Sequence, residues 1–134
     1  MTKTILQIDL REGRCAQNDC ADLERIITHS LLSGRVHLIP ASSLPSPEAL
    51  SAQPPHLILL QSSSEEIAAE AVHAFRRLGC FVPLLWLSCH TPAADPALVN
   101  QILSVADDFL FCPFQPSDFL ARIQKWVLME SQNE

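Results

Sequence analysis

Short apolar runs alternate along this chain with longer stretches whose apolar residues recur at helical spacing. Thr4 to Ile8 reads as a first strand closed by Asp9. A polar loop, Arg11 to Asn18, follows it. Asp19 or Asp22 then caps a helix carrying Leu23, Ile26, Ile27 and Leu31. Gly34 ends that helix, at the place where a left-handed residue is favoured, and Val36 to Ile39 is a second strand. From Ala41 to Pro55 serine and proline dominate, and at most a short helix fits, around Pro47 to Ser51. Leu57-Ile58-Leu59-Leu60 then shows no alternation, which is the mark of a strand covered on both faces.

Ser62-Ser63-Ser64-Glu65-Glu66 reads as the start of the next helix, with Ser63 and Glu66 at capping-box spacing. Ile67, Ala71, Ala74, Phe75 and Leu78 continue it, and Gly79 stops it. Val82 to Leu87 is another unbroken apolar strand. Asp95-Pro96 opens a helix bearing Leu98, Ile102 and Val105, with proline in its first turn. Asp108 to Phe111 is a last short strand, and Pro116 opens a last helix with Phe119, Leu120, Ile123 and Val127 on one face.

Strand and helix thus alternate five times within 134 residues, which suits one domain built on a parallel sheet with helices on both faces. No glycine-rich turn follows the first strand, which disfavours a dinucleotide fold. The expected architecture is a flavodoxin-like five-stranded sheet of order 2-1-3-4-5, whose functional site lies at the carboxyl ends of the strands. Asp9, Gln61, Ser88 and Cys112 fall there.

Charge narrows the functions. The net charge is −6 and no Lys/Arg run occurs, so nucleic acid is not an expected partner. No stretch approaches the ~20 apolar residues that span a bilayer, and the amino-terminal apolar run is too short for a signal peptide. A cytoplasmic protein without membrane contact is expected. Five cysteines, an odd number without paired spacing, argue against a disulfide framework. Cys15 and Cys20 lack the spacing of a zinc site, and adjacent Cys89 and His90 would point to opposite sides of a strand. No metal and no cofactor is expected.

Two stretches resemble the receiver domain of response regulators, the CheY-like fold. Pro54-Pro55-His56-Leu57-Ile58-Leu59-Leu60-Gln61 is similar to the family's P-D-L-I-L-L-D third strand. Ala106-Asp107-Asp108-Phe109-Leu110-Phe111-Cys112-Pro113-Phe114, with Phe119-Leu120-Ala121-Arg122-Ile123, is similar to its G-A-D-D-Y-L-T-K-P-F and the start of its last helix. Val82-Pro83-Leu84-Leu85-Trp86-Leu87-Ser88 looks like the strand that ends in the family's Thr/Ser. The resemblance implies a phosphoryl-accepting aspartate at position 61, an acidic pair after the first strand to hold magnesium, and a lysine at position 112. This chain has Gln61, Asp9 followed by Leu10, and Cys112 instead. A carboxamide is too poor a nucleophile to form an acyl phosphate. Asp9, Ser88 and Pro113 remain of the degenerate pocket.

The expected function is therefore a pseudo-receiver, not an enzyme, that makes protein contacts in bacterial two-component-type signalling without phosphorylation. Two alternatives are a working receiver with another acceptor, Ser62, Ser63 or Ser64 being the tempting hydroxyls, and a thiol redox sensor using Cys112. In the family, the face of the fourth helix, fifth strand and fifth helix transmits the signal through the Ser/Thr and an aromatic, here Ser88 and Phe109. The resemblance extends to Asp107, Asp108 and Arg122 on that face, while the fourth helix lacks charge. Leu98, Val99, Ile102 and Trp126 are expected to form an apolar patch there that docks a protein partner or a second copy.

Overall fold

The structure, a computed structural model, describes residues 2–10, 23–30, 32–88, 96–111 and 114–128. The elements follow the order β1 (Lys3–Asp9), α1 (Leu23–Thr28), β2 (Val36–Ala41), α2 (Pro47–Ala52), β3 (Leu57–Ser62), α3 (Glu65–Arg77), β4 (Leu84–Ser88), α4 (Pro96–Leu103), β5 (Asp108–Phe111) and α5 (Pro116–Leu128). The five strands form one sheet of order β2-β1-β3-β4-β5, and every neighbouring pair is parallel. This is the flavodoxin-like order that the alternating pattern calls for.

The unbroken apolar strands explain the layering. All six residues of β3 and all five of β4 are buried. Alternate side chains of a strand leave opposite faces, so each strand feeds two cores. Leu57 and Leu59 of β3 and Leu85 and Leu87 of β4 pack with Leu23 and Ile27 of α1 and Phe119, Ile123 and Val127 of α5. Ile58, Leu60, Leu84 and Trp86 pack on the other face with Ala68, Val72 and Phe75 of α3 and Ile102 of α4.

Several boundaries differ from the pattern for local reasons. The first helix ends at Thr28, before Gly34. There the Ser30 hydroxyl donates to the Ile27 carbonyl (2.6 Å) and accepts the Leu32 amide (3.0 Å), which diverts the backbone groups that would continue the helix. Gly34, at φ +80°, serves the turn into β2 instead. The candidate caps Asp19 and Asp22, and Leu31, lie outside the described residues. Helix α3 is capped by Ser64 rather than Ser63: its hydroxyl accepts the Ile67 amide at 3.4 Å. The residue three positions on is then Ile67, so no capping box forms. Strand β4 begins at Leu84 rather than Val82, because Pro83 has no N–H for the ladder. Gly79 stops α3 as the pattern indicates, at φ +77°. No helix among the described residues is long and apolar enough to cross a membrane.

Candidate functional site

The parallel register sets the carboxyl ends of β1, β3 and β4 side by side. Asp9 lies opposite Gln61, and Ser62 lies opposite Ser88. The Leu10 amide donates to the Gln61 carbonyl at 2.8 Å, which fixes the chain leaving β1 against β3. The fold therefore brings together Asp9, Gln61 and Ser88 in this part of the sheet. Cys112 and Pro113, the other two members of the expected pocket, lie outside the described residues, as do Cys89 and His90.

The described members differ in exposure. Asp9 is half-buried, whereas Gln61 is 0% and Ser88 1% exposed. The Gln7 amide nitrogen donates to the Gln61 side-chain oxygen at 2.6 Å. Gln7 and Gln61 lie on neighbouring strands, with Gln7 opposite Leu59, two residues before Gln61. An amide bonded to an amide satisfies a polar group in the interior at far lower cost than an ionised carboxylate there. Gln7 was not among the expected site residues. Its signal in the sequence is one polar side chain between Leu6 and Ile8 in an apolar strand.

The next residue pair points into the other core. Trp86, fully buried, donates its indole N–H to the hydroxyl of fully buried Ser62 at 2.9 Å. The Phe111 ring meets Trp86 edge-on at 5.5 Å, and Phe109 lies 5.2 Å from Phe111. Phe109, the expected switch aromatic, is half-buried in this aromatic row. The Ser62 hydroxyl is thus occupied as an acceptor inside the protein, and Ser64 serves as a helix cap.

Glu65 opens α3 immediately after this region and is 6% exposed, with one carboxylate oxygen, Oε1, that has no hydrogen-bond partner. Among the described residues no group of three or more His, Cys, Asp or Glu side chains is arranged to hold a metal ion. Magnesium demands near-octahedral oxygen ligands, usually including charged ones. Asp9 beside an amide and a hydroxyl does not meet that demand, so the magnesium of a working receiver does not fit the described donor set.

The face of α4, β5 and α5 departs from the expected patch. Ile102 is 0% exposed and packs in the core between α4 and α3, so it cannot contribute to a contact surface. Leu98 and Val99 are half-buried against that same core, while Trp126 packs on the core of the opposite sheet face. No large apolar side chain of this face is exposed among the described residues.

Its charges are also spoken for. Asp107 accepts the Leu84 amide at 2.8 Å and Arg76 at 3.2 Å, while Arg76 also donates to the carbonyls of Cys80 (2.7 Å) and Val105 (3.0 Å). Asp108 accepts the Trp126 indole and the Phe109 amide, each at 2.9 Å, and pairs with Arg122. Lys125 stands over the Trp126 ring at 4.9 Å from its centroid. These acids anchor β5 to β4, α3 and α5 rather than standing free in solvent.

No protein-family model and no curated protein matches the chain. Solved structures do match. A response regulator from Thermotoga maritima superposes with a TM-score of 0.65 at 17% identity, over 96% of this chain and 99% of that one. A putative pilus assembly-related protein from Burkholderia pseudomallei gives 0.66 at 16% identity, over 95% and 90%. The receiver domain of a sensor histidine kinase from Pseudomonas aeruginosa, solved with magnesium in its active-site cleft, gives 0.60 at 16% identity, over 95% and 98%. The chain has the CheY-like fold of response-regulator receiver domains.

Proposed function

We propose that this chain is a pseudo-receiver: a protein-interaction module of two-component-type signalling that works without accepting a phosphoryl group. One observation carries the reading. The side chain at the acceptor position is an amide, fully buried and hydrogen-bonded to Gln7, where chemistry would require a solvent-reachable carboxylate. Asp9 alone does not replace the charges needed to neutralise a phosphoryl group in transfer. Receiver folds are typically signalling modules rather than enzymes, which supports a role through contacts.

The α4–β5–α5 face enters this reading as a fixed surface for a partner or a second copy. Asp107, Asp108, Arg122 and Trp126 hold it in one arrangement, and the outer side of α4, with Ala97, Asn100 and Gln101 exposed, carries no charge. A surface needing no switch has no use for the mobility that phosphorylation exploits. Gln101→Arg, at an exposed position of α4, should weaken association there while the far-UV circular dichroism stays native.

The test of the pocket is thermal melting with millimolar magnesium and beryllofluoride, a mimic of a bound phosphoryl group. The melting temperature should not move, because neither ligand binds the folded state. A rise that disappears in Asp9→Asn would overturn the reading.

A further inference from the structure

We draw no further inference here: the strongest candidate, the pair of apolar depressions that flank α2 beside exposed Leu78 and Phe81, is lined by no charged residue, and nothing in the structure shows what covers it.

Discussion

Asp108→Ala is the perturbation that separates an internal anchor from a surface charge. The Asp108 carboxylate is 9% exposed and accepts from Arg122, the Trp126 indole and the Phe109 amide. A hydrogen bond to a charged group contributes roughly 1.5–3 kcal/mol when shielded from water. The Arg122 side chain is 36% exposed, so solvent screening lowers that share to about 1 kcal/mol. The two neutral donors add roughly 0.5–1 kcal/mol each, the indole being free to rehydrate in part. The expected loss is about 2–3 kcal/mol, or roughly 10 °C in Tm for a domain of this size. Urea unfolding followed by far-UV circular dichroism measures it, with an unchanged m-value as the control for two-state behaviour. Arg122→Ala alone should cost about 1 kcal/mol, and the double variant less than the sum of the two. A loss below about 0.5 kcal/mol for Asp108→Ala, with additive behaviour in the cycle, would make Asp108 an ordinary solvated charge and not an anchor.

Three other substitutions probe the rest of the frame. Ser62→Ala strands the buried indole N–H of Trp86 and should cost about 1–3 kcal/mol in urea unfolding, where a surface serine would cost almost nothing. Glu65→Met removes a buried carboxylate with one unpartnered oxygen, and should raise stability by about 1 kcal/mol even after the loss of its favourable place at a helix start. Gly79→Ala meets no atom within 4 Å of the new Cβ, so its cost is the left-handed backbone alone, about 1–2 kcal/mol by thermal melting.

The sequence carried the fold because its signals were local or strictly periodic. Leu57 to Leu60 has no polar member, and a strand with none needs cover on both faces, which fixes a parallel sheet with helices above and below. The end of α3 at Gly79 was legible for a similar reason, since few other residues take its backbone angle without strain. The register of the α3 cap was not, because three consecutive serines offer the same chemistry and only the backbone geometry chooses Ser64. The placement of Asp9, Gln61 and Ser88 at the strand ends followed from the fold. The partner of Gln61 did not, because Gln7 lies 54 residues away and reaches it only through the β1–β3 register.

The surfaces were the least legible part. Asp107 and Asp108 look like solvated acids in sequence, and become anchors only because Arg76 and Arg122 arrive from distant helices. Ile102 fits a contact face or a core equally well by spacing, and the approach of α3 decides for the core. Phe81 sits in an apolar stretch that reads as the approach to a strand, yet Pro83 delays β4 and leaves the ring in solvent.

Intact-protein mass spectrometry tests the proposed loss of acceptor chemistry. The chain is incubated with phosphoramidate and magnesium beside a working receiver as control. The control should gain one phosphoryl group while this chain keeps its mass, and Gln61→Asp alone should not restore the gain. A stoichiometric phosphoryl adduct on the unmodified sequence, mapped to a side chain at the carboxyl ends of the strands, would contradict it.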